Sequence, residues 1–381
     1  MAKYNAGNER IKRRYFVYMK EAGRQSEDSV DNAAAAIARF EAYGGWRDFK
    51  LFHIDHAVGF KRDLARQPGQ SSGKPLSKAT LNAILSHLKR FFFWLADQEG
   101  FRGRIKYSEA EYFNLTEKEA RIATAKRPRA APTFEQLHHA LGAMPAETEI
   151  QRRDRAVFAF TMITGARDSA TASFKLKHID IANRAVFQDA REVKTKFSKT
   201  FTTYFFPVGG DALAVLADWV THLRTVRLWG EEQPLFPATE LKLGPTGQFE
   251  AAGVKPEHWS NADPIRAIFK NAFAGAGLPY FNPHSVRNAL VRLGQMNCKG
   301  PEEFKAWSQN LGHESVMTTF TSYGTVSPER QSEIIRDLGA KSDPEVVDEA
   351  LCRAFKKVLT EMRATPGASG SDGFEHGSNR T

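Results

Sequence analysis

Apolar positions recur every three to four residues through the first hundred positions and predict four short helices. Ile11, Tyr15, Tyr18 and Met19 mark the first. The second, alanine-rich from Asp31 to Tyr43, has Val30, Ile37 and Phe40 on one side, and Ile54, Val58 and Leu64 follow Trp46 as a third. Leu81, Ile84, Leu88, Phe91 or Phe92, and Leu95 hold a 3.6-residue period in the fourth. Gln67-Pro68-Gly69-Gln70-Ser71-Ser72-Gly73-Lys74-Pro75, between the last two, has the composition of a loop. Strand signal is weak here, so residues 1–117 read as a compact helical domain.

Residues 118–131 are basic and end in a Pro-containing stretch, the pattern of an interdomain linker. A second domain, residues 132–342, opens on Thr133-Phe134-Glu135-Gln136, a capping box with Thr133 as N-cap. Arg155 to Thr164 is a strongly apolar helix, and Gly165 suits a left-handed cap at its end. Strand signal appears first in Lys177 to Ile181 and Ala185 to Gln188, on either side of the turn Ala182-Asn183-Arg184, and again from Phe201 to Val208. Beyond Asp211 the pattern is helical, except that Glu231 to Asn261 has loop composition. Pro344 to Arg363 predicts a last amphipathic helix (343–364), and residues 365–381 read as a disordered Gly, Ser and Asn-rich tail. The fold class is therefore mainly α with a small antiparallel β-sheet.

Charge adds a partner to this picture. With 54 Lys and Arg against 44 Asp and Glu, the net charge of +10 points to a polyanion, most simply nucleic acid. Lys78, Lys89 and Arg90 on the fourth helix, and Lys126, Arg127 and Arg129 in the linker, are candidate phosphate contacts that would bind without reading sequence. No apolar run approaches membrane-spanning length, so no transmembrane helix is expected; basic charge alone also fits RNA or an anionic membrane, and the reading taken is DNA with no membrane partner. The polar start Met-Ala-Lys-Tyr-Asn-Ala lacks a signal core, and Cys298 and Cys352 read as free thiols in a reducing, cytoplasmic setting. No Asp/Glu cluster has metal-ligand spacing, and no cofactor is expected.

The chemistry-bearing residues gather late in the chain. Thr164-Gly165-Ala166-Arg167 comes first, then Asn282-Pro283-His284-Ser285-Val286-Arg287, Leu311-Gly312-His313, and Tyr323 ten residues after that histidine. His284 and Arg287 lie one helical turn apart and share a face. Attack on a phosphodiester adds negative charge to the non-bridging oxygens. Arginine forks neutralise that charge, histidines donate or shuttle protons, and a phenol is a nucleophile that leaves a covalent protein–phosphate bond.

In this order the motifs resemble the active site of the tyrosine recombinases, the phage-integrase family. The resemblance implies an N-terminal helical, SAM-like core-binding domain and a mixed α/β catalytic domain. It implies that Arg167 and Arg287 clamp the scissile phosphate, that His284 and His313 serve it, and that Tyr323 attacks it to give a 3′-phosphotyrosyl bond and a free 5′-hydroxyl. A hairpin lysine would protonate that leaving group. Lys194, Lys196 and Lys199 are available, with Lys196 leading and Lys199 open because it lies eight residues before Pro207. The implied partners are double-stranded DNA and, on DNA, a homo-tetramer, with accessory proteins left open. One position departs from the pattern: the carboxylate usual three residues after the first arginine is Ala170, and Asp168 is the nearest substitute. A type IB topoisomerase would share this chemistry and religate the same strand. An inactive, sequence-specific DNA-binding protein is the reading from a different class.

Overall fold

A computed structural model describes residues 4–69, 73–125, 130–245, 247–313 and 332, with Phe197 described in its backbone only. The chain divides into two compact units, residues 1–126 and 127–381. The expected helix 344–363, the tail and Tyr323 lie outside the described residues.

In the first unit, α1 (Ala6–Glu21), α2 (Glu27–Tyr43), α3 (Ile54–Leu64) and α4 (Lys78–Ala96) match the four apolar stripes. Asn5, Ser26, His53 and Ser77 cap their N-termini, each accepting from backbone N–H groups of the first turn. The core is aromatic. Phe92 of α4 lies 5.4 Å from Phe40 and 4.2 Å from Phe52, and Phe91 meets Tyr15 at 5.0 Å. Two further short helices complete the unit, α5 (Tyr107–Ala110) and α6 (Glu117–Thr124). Residues 118–124, expected as linker, are thus helical. Thr116 and Glu119 form a capping box there, and Glu119 takes the ammonium of Lys78 at 2.6 Å.

The second unit is built on α7 (Phe134–Ala143) and α8 (Glu149–Thr164). α7 starts at the expected box, with Gln136 N donating to Thr133 Oγ1 and Thr133 N to Gln136 Oε1. From Ala156 to Thr164 every residue of α8 is buried, and the Phe158 ring packs tilted against Phe269 at 4.6 Å. Gly165 ends α8 at φ +59°, where a side chain would be strained, and an added Cβ would lie 2.7 Å from Leu290. The one-turn α9 (Asp168–Thr171) follows. Strands β1 (Ile179–Asp180), β2 (Ala185–Gln188) and β3 (Phe201–Tyr204) form an antiparallel sheet in that order, with Gln188 opposite Phe201.

After α10 (Ala212–Thr225), β4 (Ala238–Leu243) and β5 (Phe249–Lys255) form an antiparallel ribbon inside the stretch that sequence composition marked as loop. Its root is held by buried Arg153, which donates to Pro237 O and Thr239 Oγ1 and lies over the Trp259 ring. Three helices close the described fold: α11 (Asp263–Gly275), α12 (Pro283–Asn297) and α13 (Pro301–Asn310). Gly294 of α12 lets the Trp307 indole approach, and Trp307 Nε1 donates to Leu290 O at 2.9 Å.

Candidate active site

Three local structures meet at Arg287. The loop after α8 supplies Gly165 and Arg167. Asn282 caps α12 through Ser285 N, with Pro283 in the first turn, and so sets where His284 and Arg287 project. The turn after α13 supplies Leu311, Gly312 and His313, and a small apolar cluster of Phe206, Leu290, Val291 and Leu311 lies at the junction. Gly312 has φ +69°, and a Cβ there would lie 2.5 Å from the Phe201 ring, so only glycine lets this turn close on β3.

Arg287 is 5% exposed. Its Nη1 donates to Gly165 O at 2.6 Å, and its Nη2 to Leu311 O at 2.5 Å and His313 Nε2 at 3.2 Å. Burial, and then the like charge of Arg167, bring its pKa down to about 9, so it remains a cation at neutral pH. Arg167 itself is half-buried, which lowers its pKa, and among the described residues its guanidinium makes no hydrogen bond. One arginine is therefore anchored and the other presents an open fork.

Burial pushes His313 down to about 4, aided by Arg287, Arg167, His284 and Lys199. The other four groups thus lie within Coulombic reach of His313. The ring is neutral at pH 7. An arginine can only donate, so Nε2 accepts and the ring proton sits on Nδ1. An unfolded histidine titrates near 6.5. Between that pH and about 4 the unfolded chain binds a proton that the folded chain refuses. This contribution to stability is complete above about 6.5 and lost as pH falls towards 4. Thermal melts across that range should show the wild type losing more stability than His313→Gln; equal losses would mean the ring titrates normally.

The carboxylate question resolves locally. Ala170 is buried in α9. Asp168 does not substitute, because its carboxylate takes Arg266 at 3.0 Å and Ser169 N at 3.0 Å. Among the described residues no carboxylate accepts from Arg167 or Arg287. Backbone carbonyls do the orienting, a role that residue types alone do not reveal. The result is a concentration of positive charge suited to one dianionic centre.

Of the three lysines, Lys194 is exposed with its backbone held on Ser169 and Ser173, and Lys196 is exposed on a short 3₁₀ turn. Lys199 is half-buried and contributes to the charge acting on His313. Of the other candidate phosphate contacts, Lys78 is paired with Glu119, Lys89 with Glu111 at 2.7 Å, and Arg90 is exposed. Lys126, Arg127 and Arg129 lie outside the described residues. Among the described residues no group of three or more His, Cys, Asp or Glu is arranged to hold a metal, and no helix is long and apolar enough to cross a membrane.

No family model matches the chain. "Tyrosine recombinase XerC 2" of Ralstonia nicotianae is 26% identical over 225 residues, covering 59% of this chain and 53% of that protein. The match thus spans about half of that relative's length. "Tyrosine recombinase XerC" of Halalkalibacterium halodurans is 23% identical over 264 residues, covering 68% of this chain and 75% of its own. Among solved structures, a lambda integrase dimer bound to a COC′ core site superposes with a TM-score of 0.55 at 16% identity. That match covers 83% of this chain and 94% of the integrase chain, and it shows a shared fold.

Proposed function

We propose that this chain, a member of the tyrosine recombinase family, cuts and rejoins duplex DNA at a specific site through a 3′-phosphotyrosyl intermediate on Tyr323. The observation that carries the reading is the seating of Arg287. Its guanidinium joins the Arg167 loop to the His313 turn, with His284 and Lys199 close by and, among the described residues, no carboxylate accepting from either arginine. Such a site favours a phosphate, and favours it more as charge builds on its oxygens. In this reading Arg167 and Arg287 clamp the non-bridging oxygens, and neutral His313 donates from Nδ1. Tyr323 attacks phosphorus, the bond to the 5′ oxygen breaks, and that oxygen takes a proton. A 5′-hydroxyl from a partner duplex reverses the step in the new arrangement, so the bond energy is conserved.

Lys199, ahead of Lys196, is the proton donor in this reading, because its charge reaches His313. Lys199→Ala should slow cleavage of an ordinary phosphodiester and recover on a substrate with a 5′-bridging sulfur, which leaves without a proton. Lys196→Ala should cleave both like the wild type. The reverse pattern would assign the proton to Lys196.

The reading extends to an integrase of a phage or other mobile element that works as a tetramer on DNA, residues 344–363 docking on a neighbouring protomer in a closed ring. The test starts with selection of a binding site from random duplexes. A nicked suicide duplex of the selected sequence should then trap a covalent adduct. Two labelled duplexes should exchange strands in complexes that size as tetramers. Relaxation of supercoils without exchange would favour a topoisomerase, and binding with no adduct an inactive DNA-binding protein.

A further inference from the structure

A polar seam joins the sheet to the turn that carries His313. On β2, Gln188 donates from Nε2 to Thr203 Oγ1 at 2.9 Å, and both side chains are buried. An amide nitrogen can only donate, so the threonine hydroxyl must send its own proton elsewhere. It goes to Asn310 O, 3.0 Å away. The Asn310 side chain then pairs with the backbone of β3. Its Oδ1 accepts from Tyr204 N at 2.7 Å and its Nδ2 donates to Tyr204 O at 2.8 Å. β3 is the outer strand of its sheet, so one amide does for Tyr204 what a further strand would do. Both ends of the amide are fixed by groups of known polarity, which sets its orientation.

The seam is placed where two parts of the site must agree. One residue beyond Asn310, Leu311 O holds Arg287, and two further on stands His313. Four residues before Thr203 stands Lys199, its carbonyl held by Thr195 Oγ1 at 2.8 Å. The phosphate clamp and the proton donor therefore sit on opposite sides of a joint made of four hydrogen bonds, with only a few residues between each group and the joint.

We infer that Gln188, Thr203 and Asn310 are positioning residues that set the distance between Lys199 and the Arg287–His313 cluster. Attack by Tyr323 and protonation of the departing 5′ oxygen are thereby served in one geometry. The inference rests on the recombinase reading above. It assigns the seam a role in the timing of one proton: as the bond from phosphorus to the 5′ oxygen breaks, the Lys199 Nζ proton passes to that oxygen. A misplacement of about 1 Å is enough to slow such a step on the order of 10²-fold.

Thr203→Val removes the hydroxyl at nearly constant volume. Adduct formation should fall about 10- to 100-fold on an ordinary nicked duplex and return to within about threefold of the wild type on the 5′-bridging sulfur substrate, with unchanged duplex affinity. A general loss of structure would slow both substrates alike, so the sulfur arm separates positioning from damage. Thr203→Ser, which keeps the hydroxyl, should restore the ordinary substrate. Asn310→Ala also releases the His313 turn and should slow both. Should Thr203→Val not fold, Gln188→Met removes the far donor, leaves the Thr203–Asn310 bond, and carries the same test. A Thr203→Val or Gln188→Met variant that matches the wild type on the ordinary duplex, or loses equally on both substrates, would overturn the seam. A wild type that forms no adduct on either substrate would overturn the recombinase reading instead.

Discussion

Tyr323→Phe is expected to bind its duplex with wild-type affinity and to form no covalent adduct at all. In the proposed reading binding rests on many phosphate contacts spread over a basic chain, and one hydroxyl contributes little to that sum. Cleavage rests on the hydroxyl alone, since a phenyl ring has no atom able to bond phosphorus. A free phenol has a pKa near 10, so attack depends on the cationic site around Arg167 and Arg287 to make the phosphate a good electrophile. Adduct yield on the nicked duplex, read beside a binding isotherm, decides the matter. An adduct that persists in Tyr323→Phe would assign the nucleophile to another tyrosine, with Tyr280, half exposed just before α12, the first to try.

Arg167→Ala and Arg287→Ala should each slow cleavage by about 10²- to 10³-fold, about 3 kcal/mol of transition-state stabilisation, by analogy with loss of one oxyanion donor. Their stabilities should move in opposite directions. Arg167 is desolvated, makes no hydrogen bond among the described residues and presses its charge on Arg287. Removing it should leave the melting temperature at or above that of the wild type, a gain held to about 1 kcal/mol or less by solvent screening of a half-buried group. Arg287 holds two carbonyls. Removing it strands them in a buried site, at a cost of about 1–3 kcal/mol. Melts in the absence of DNA, paired with cleavage rates, test both signs. If Arg167→Ala melted well below the wild type, the open-fork description of that residue would be wrong.

Most of the helical frame was legible because its signals are local. The Thr133 box and the Gly165 cap announce their geometry in three or four residues, and the stripes of α1 to α4 repeat over several turns. The β4–β5 ribbon was not legible. Apart from Val254 its strands are exposed or half-exposed, so no alternation of apolar and polar residues marks them, and what fixes the ribbon is Arg153, over eighty residues earlier. The order among Lys194, Lys196 and Lys199 was not legible for a related reason. The segment is irregular and passes through a 3₁₀ turn, so spacing along the chain does not say which lysine turns inward. Asn310 carried no signal of its own, because an asparagine at a helix end reads as an ordinary cap.

The amide that closes the outer edge of β3 stands 106 residues downstream of the backbone it pairs with. A ribosome adding about 5–20 residues per second lays down that strand on the order of 5–20 s before α13 exists. Throughout that interval the nascent chain carries an open strand edge rich in Phe, Thr and Tyr, a template for pairing with other chains. The finished protein is free of that hazard at Tyr204, while every molecule passes through it during synthesis. Slower growth at low temperature lengthens the interval, whereas fragments ending before residue 301 never leave it, and their yield in soluble form should be correspondingly poor.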